Sequence, residues 1–451
     1  MDTGAYMLAD LAFKTRFDDL PKAAVEHTKR LLFDSLGCAL GAYSSEPCKI
    51  VRGVVGELGG KPEATIIGSG VRVLCQDATL VNAAMIRHLD FNDTYWSTRT
   101  VDYTHTSDNM AVALAVGEKV HATGKDVIEA IAVGYECDMR LCDTFQYTRR
   151  GWMHHTRAGY VAPVIAGKLL GLDRDVIANA VGIGGSHNHT VYGVYGEGGR
   201  VTMMKSLGYA FGLQSGVMAA LLAQSGFTGP TTIIESFNRV LGGNVELGPL
   251  SDEREGPMIL RSCVKPFPAS YESQSAISAM IQLVREHPVK AEDILEIRAR
   301  VHHLINPERH TFMPTTREEA DHSLVYLLAM AATEGELGIE QYAHEQWKDP
   351  KLLDLMGRTS LTIDEEFNKD FPVKRLVHIQ IITRQGETFT IWGEYPKGTP
   401  ENPMTNEELE WKFRSLASKV MNEGQMRRIK EVVYGLDELD DIGSLMDVLI
   451  V

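Results

Sequence analysis

Helix-length apolar runs follow one another through the first 260 residues, and only residues 63–70 read as a short extended piece with a turn. Asp19-Leu-Pro21 starts one helix, whose apolar run spans Val25 to Leu40 and whose end is marked by Gly37 and Gly41. Others are predicted over 77–89, 108–121, 125–141, 159–170, 173–185 and 206–225. The runs are rich in Ala, Gly and Leu, and small residues allow helices to approach closely. Such a segment can bury its apolar faces only against other helices, so a compact all-helical domain is expected.

The pattern breaks at Val264-Lys-Pro-Phe-Pro-Ala269, where two prolines interrupt helical geometry. Beyond it, 273–286 and 321–334 read as helices, 294–304 alternates like a strand, and 375–392 reads as a β-hairpin turning at Gly386. A chain of 451 residues is too long for one ordinary core. The expected fold class is therefore mainly α. A large helical domain occupies 1–266 and a smaller α+β domain 267–395. Residues 396–451 form a Pro/Gly linker and C-terminal helices that return to the first domain.

Composition removes several function classes. The formal net charge of −15 argues against a nucleic-acid surface, which needs clustered Lys and Arg. An anionic ligand would need only a local cationic pocket. No run of about eighteen apolar residues is seen, so no membrane span is predicted. The N-terminus lacks a basic start followed by an apolar stretch, and a cytoplasmic location is the expectation. Six cysteines form no C-x-x-C pair and read as free buried thiols, which excludes an iron–sulfur cluster. Neither a G-x-G-x-x-G nor a P-loop pattern occurs; Gly182-Ile-Gly184-Gly185 follows no strand, and Gly196-Glu-Gly198-Gly199-Arg200 reads as a flexible loop. No H-E-x-x-H supports a metal site and no G-x-S-x-G a serine hydrolase, so neither metal nor cofactor is expected.

Chemistry concentrates at residues 87–109. Arg87-His-Leu-Asp-Phe-Asn-Asp-Thr94 and Thr104-His-Thr-Ser-Asp-Asn109 lie between two apolar helices, with Tyr95 and Trp96 between the knots. Capping of two helices could explain the acids alone, but not their crowding with imidazole and aromatic groups. Lys205 opens a long apolar helix, against the usual charge preference of a helix start, an arrangement that suits anion binding. Lys265 sits at the domain junction. Each lysine could instead snorkel to the surface, and Tyr326 on an apolar helix could be a core aromatic. His154-His155, His187-Asn-His189 and His302-His303 are the paired histidines, the last read as a surface strand end.

These pieces occur in one order with Gly226-Phe-Thr-Gly-Pro230, Lys265-Pro-Phe-Pro-Ala269, Asp321-His-Ser-Leu-Val-Tyr326 and Tyr395-Pro-Lys-Gly-Thr-Pro. The ordered set resembles the MmgE/PrpD family of 2-methylcitrate dehydratases, cis-aconitate decarboxylases and iminodisuccinate epimerases, over nearly the whole chain. The resemblance implies a helical domain with a smaller α+β lid, usually in a homodimer. It implies a small di- or tricarboxylate substrate and no cofactor. It places Asp90, His105, His154, Lys205 and Tyr326 in catalysis, with Thr94, Lys265 and His155 binding substrate. His154-His155-Thr-Arg departs from the family's usual surroundings of the second histidine, so the two imidazoles stay alternatives. Leu-Asp-Phe-Asn-Asp-Thr looks closest to the 2-methylcitrate dehydratase branch, although Thr106 stands where a proline is common. The implied reaction is dehydration of 2-methylcitrate or a close relative. The alternatives are decarboxylation of cis-aconitate, epimerisation or dehydration of another dicarboxylate, and, in a different class, a non-catalytic helical binding protein.

Overall fold

The structure, a computed structural model, describes residues 2–195, 201–242, 246–252, 256–305 and 307–451. The glycine-rich stretch 196–200 lies outside the described residues. The fold is mainly α, with a large helical domain and a smaller α+β lid. One hydrophobic core draws on residues from Ala5 to Val264 and again from Met404 to Leu449. A second core runs from Ala269 to Ile381.

The first long helix is Lys22–Ala42, and it runs straight through Gly37. Gly37 does not end it, whereas Gly41 lies one residue from its last position. A Cβ on Gly37 would stand 3.0 Å from the Phe413 ring, and one on Gly41 2.8 Å from Leu416. Their role is to admit the C-terminal helix Asn406–Ala417, which lies against this face and stacks Phe413 on Phe33 at 4.0 Å. The same device recurs at the centre. Gly208, Gly212 and Gly216 lie four residues apart on helix Met204–Gln224. A Cβ at Gly212 or Gly216 would come within 2.6 Å of Ala158 or Ala162 on helix Ala158–Leu169. Glycine is the residue that allows two backbones to approach this closely.

Helix Met204–Gln224 is long and apolar enough, at a mean hydropathy of 1.3, to cross a membrane by composition alone. The sequence reading had found no such run. Most of this helix is buried against its neighbours, which accounts for its apolar character.

The lid carries a four-stranded sheet. Ile294–Val301 pairs antiparallel with Val377–Thr383, which pairs antiparallel with Thr388–Gly393. The fourth strand, Thr359–Ile363, joins parallel to Ile294–Val301 at the sheet edge. It is short and mostly unburied, so no apolar alternation announces it. Helices Gln274–Glu286 and Leu324–Glu334 pack with this sheet. Strand Ile294–Val301 stops before the histidine pair. His302 is buried and stacks on Phe371 at 4.7 Å, whereas His303 is exposed. Only one of the two is therefore a surface residue.

Lys412 ties the returning C-terminal segment to the rest. Its ammonium meets Asp34 at 2.6 Å and donates to the carbonyls of Phe91 at 2.7 Å and Lys265 at 2.9 Å. Both charged groups are buried. Burial pushes Asp34 above the usual carboxylate range, against the pull of Lys412. Lys412→Met is expected to destabilise the protein by about 3–5 kcal/mol, because it strands a buried carboxyl group. Asp34→Leu combined with Lys412→Met should recover a large part of that loss. Urea unfolding of the two variants checks both statements.

Candidate active site

Helix Cys75–His88 ends at a turn that throws Asp90 into the left-handed region, with φ of 51°. Asp tolerates that conformation better than most residues, because its short side chain can bond locally. The chain then forms a small hairpin, Tyr95–Trp96 against Tyr103–Thr104, and a 3-10 turn at Thr106–Asn109 leads into helix Met110–Val120. Thr94 fixes this hairpin to the domain junction. Its backbone exchanges hydrogen bonds with Cys263 at 2.9 and 2.7 Å, and its hydroxyl donates to the Thr104 carbonyl.

Asp90 is the hub. Arg87 reaches one carboxylate oxygen at 2.7 Å, Lys205 the other at 3.1 Å, and Lys265 bonds both the carboxylate and the Asp90 carbonyl. Lys205 also bonds both oxygens of Asp321, at 2.9 and 2.8 Å. Arg317 and His322 complete the partners of Asp321. Four fixed cations thus surround two buried carboxylates. Burial opposes ionisation of Asp90, but Arg87, Lys205 and Lys265 outweigh it and hold the carboxyl well below its usual range. Burial also draws Lys265 below its ordinary range, against the pull of Asp90.

This cluster faces a cavity of 910 Å³ between the two domains. Arg87, Asp90, His105, Lys265 and His322 line it, with Trp96, Tyr103 and Tyr271 as an aromatic wall. A cavity of this size holds a small polycarboxylate with room to spare. Another cavity, of 460 Å³, includes Asp126, Glu129 and Lys168. There Lys168 is taken up by Glu129 and Asp126 by a helix cap.

His105 has a defined tautomer. Its Nδ1 lies 3.1 Å from the Asp93 carbonyl, which can only accept, so Nδ1 carries the proton. The Nε2 lone pair is then the one left for chemistry. Burial, reinforced by Arg87 and Lys265, keeps this imidazole well below its ordinary pKa. His154 lies behind it, 5.4 Å ring to ring, and His155 packs on His154 at 4.4 Å. Neither ring nitrogen of either histidine has a hydrogen-bond partner among the described residues. Burial lowers both, His155 to about 3. His155 also rests on Gly208, where a Cβ would lie 2.3 Å from its Nδ1.

The residues singled out from the sequence fall into distinct places. Asp90, His105 and Lys265 line the cavity. Lys205 and His154 touch those residues from behind. Both lysines bond Asp90 directly. Thr94 is committed to the hairpin. Tyr326 is buried in the lid core, where its hydroxyl donates to the Gln341 carbonyl. His187 pairs with Ser215, and His189 stacks on Phe237; neither is among the cavity-lining residues. Asp93, Asp108 and Asn109 support the loops: Asp93 accepts from Ser107 and Tyr135, Asp108 from Asn92, and Asn109 donates to Asp138. Burial raises Asp93 to about 6.

Sequence reasoning passed over Arg87 and His322. Each was within a quoted motif, three residues from Asp90 and next to Asp321, so the signal was present. Asp90, Asp321 and His322 also place ligand-type atoms within 4.8 Å of one another. The carboxylate oxygens already accept from ammonium and guanidinium groups, and four neighbouring cations oppose a divalent ion there.

Comparison with known proteins identifies two family domains. The MmgE/PrpD N-terminal domain matches residues 7–244, and the MmgE/PrpD C-terminal domain residues 267–438. The chain is 27% identical to cis-aconitate decarboxylase of Aspergillus terreus, covering 96% of this chain and 93% of that protein. It is 25% identical to 2-methylcitrate dehydratase of Cupriavidus necator, over 82% and 80%. Human cis-aconitate decarboxylase is 23% identical over 95% and 91%. These relatives are enzymes, and the two domain matches together span most of the sequence: the chain belongs to the MmgE/PrpD family.

Proposed function

We propose that this chain is a cofactor-independent hydro-lyase that dehydrates 2-methylcitrate, or a closely related hydroxy tricarboxylic acid, to the aconitate-type alkene. The observation that carries the reading is His105 held as an Nδ1–H tautomer at the wall of a cationic cavity. The Nε2 lone pair takes a proton from the carbon next to a carboxylate. Arg87 and Lys265 neutralise the charge that builds on that carboxylate. The electron pair forms the C=C bond and expels the neighbouring hydroxyl, which leaves as water with a proton from a donor on the cavity wall. His322 and Lys265 are the groups placed for that donation. Asp321 holds Lys205, and Asp90 holds Lys205, Lys265 and Arg87.

Decarboxylation of cis-aconitate is the second reading, favoured by the fuller match to the Aspergillus terreus enzyme. It uses the same cations but breaks a C–C bond: loss of carbon dioxide from the CH2–carboxylate arm leaves an allylic carbanion, the double bond shifts, and the proton is delivered to the carbon at the far end of the allyl system. Incubation with 2-methylcitrate, citrate, cis-aconitate and iminodisuccinate, followed by mass spectrometry, separates the outcomes. Loss of water from 2-methylcitrate in the presence of a chelator is expected. A requirement for added iron, or carbon dioxide as the only product, rules out the hydro-lyase reading.

The state of His105 fixes a pH dependence. The base form exists above its folded-state pKa, which lies well below the ordinary 6.5. The acid limb of kcat/KM should therefore stay flat through pH 6.5 and fall only at lower pH. His105→Gln should lower kcat by roughly 10²–10⁴-fold. Initial rates from pH 4.5 to 8.5 check the limb. A limb centred near 6.5 excludes His105 as the base.

We also infer a homodimer. Phe211, Met218 and Leu222 form an exposed apolar stripe on one face of helix Met204–Gln224, with exposed Phe227 beyond its end. Light scattering should give twice the 49.9 kDa chain mass. Phe211→Glu with Leu222→Glu should shift it to the monomer value. Six buried unpaired thiols support a reducing compartment such as the cytoplasm.

A further inference from the structure

The stretch from Tyr95 to Tyr103 has no part in the proton chemistry, yet it has a partner in the lid. Trp96 and Tyr103 stack across their hairpin at 5.3 Å, with 16° between the ring planes. Arg375, just before lid strand Val377–Thr383, sets its guanidinium carbon 4.3 Å over Trp96 and 4.5 Å over Tyr271. Phe371 adds a third ring at 5.3 Å. Arg375 is 3% exposed, and its two terminal nitrogens have no hydrogen-bond partner among the described residues. The other buried arginines, Arg87, Arg140 and Arg157, each touch a carboxylate. Arg375 is held by ring faces, whose negative quadrupoles attract a desolvated cation, and by a side-chain hydrogen bond with Tyr271. Its backbone N–H donates to the Glu394 carbonyl at 3.0 Å, which fixes it to the sheet.

The contacts continue on the far side of the stack. Tyr103 meets His154 at 4.9 Å and His105 at 5.9 Å, ring to ring. Arg375, Trp96, Tyr103 and the two imidazoles form one unbroken run from the lid sheet to the cavity base. Trp96, Tyr103 and Tyr271 are also the aromatic wall of that cavity.

We propose that Arg375 is a positioning residue that clamps the Trp96–Tyr103 stack from the lid and thereby sets where the His105 and His154 rings stand. Placement of the lid then controls the geometry of proton transfer, although no lid residue removes the proton. A planar guanidinium is suited to lie on ring faces; an ammonium keeps the charge but loses the flat contact. The inference rests on the reading of His105 as the base.

The test uses full-length Arg375→Leu and Arg375→Lys with two readouts. For whichever acid is turned over, Arg375→Leu should lower kcat about ten- to a hundredfold, the scale of a small misplacement of reacting groups, with little change in KM. Its acid limb should also move. Arg375→Lys should recover part of the rate. Independently of substrate, the ring-nitrogen NMR signals of His105 and His154 should shift in Arg375→Leu, while exposed His121 should not. These signals are assigned through His105→Gln and His154→Gln. If Arg375→Leu does not fold, Trp96→Phe keeps a smaller ring and should move the same two signals. Unchanged His105 and His154 signals in a folded variant overturn the clamp. If no acid in the panel is turned over, the hydro-lyase reading fails and the NMR result still decides the clamp.

Discussion

The structure turns on a buried carboxylate held by three cations. Asp90 binds Arg87, Lys205 and Lys265 at once, and Lys205 passes the contact on to Asp321 in the lid. Each of these charges costs several kcal/mol to remove from water, so none is stable there alone. Together they are mutually compensated, and the compensation is geometric. It joins the end of one helix, the start of another, the domain junction and the lid. The cluster is thus both the interdomain tie and the source of positive potential at the cavity. Loss of the Asp90 carboxylate would turn the tie into a repulsion among three ammonium and guanidinium groups, at distances where the low dielectric leaves little screening.

The same cluster explains how an acidic protein can take an acidic ligand. The chain carries a formal charge of −15, which gives a polyanion no general reason to approach. Exposed charges are screened within about 8 Å at physiological ionic strength, whereas buried ones are screened much less. On the proposed function, attraction is confined to the cavity, which Arg87 and Lys265 line. Dehydration and decarboxylation chemistry both need this cationic seat and one imidazole. They differ in which bond lies over it. The aromatic wall, through its shape, is then the part of the site that can distinguish acids.

Much of the fold was legible because it follows from local rules. Helix periodicity, the double proline near 266 and the hairpin turn at Gly386 each leave a sequence signature. The exceptions have physical causes. Gly37 looks like a helix end, but close approach of Phe413 reverses its meaning, and that contact spans more than 370 positions. Strand Thr359–Ile363 is half-exposed and pairs at an edge, so it carries no burial pattern. At the site, Asp90, His105, Lys205 and Lys265 stood out as polar groups in apolar surroundings. Sequence can say that such a group needs a partner; it cannot say which one. Lys412 shows the limit: it sits in a polar amphipathic helix, and only the fold brings it to Asp34 and the carbonyls of Phe91 and Lys265.

Tyr326 and Arg375 sharpen that distinction. Tyr326 belongs to a motif of the resemblance, and its hydroxyl is spent on the Gln341 carbonyl within the lid core. Arg375 belongs to no motif, and its terminal nitrogens are unspent. A side chain's chemistry is available only to the extent that the fold has not already used it. By that measure, besides His322 and Tyr271 at the cavity wall, the lid acts on the site through two supporting contacts of different kinds. Asp321 holds it by charge, through Lys205, and Arg375 by ring contact, through Trp96. The first sets the cations and the second sets the imidazoles. Proton abstraction next to a carboxylate needs both in register, because a base without a neutralised carboxylate faces a barrier it cannot lower, and a cation without a base only binds.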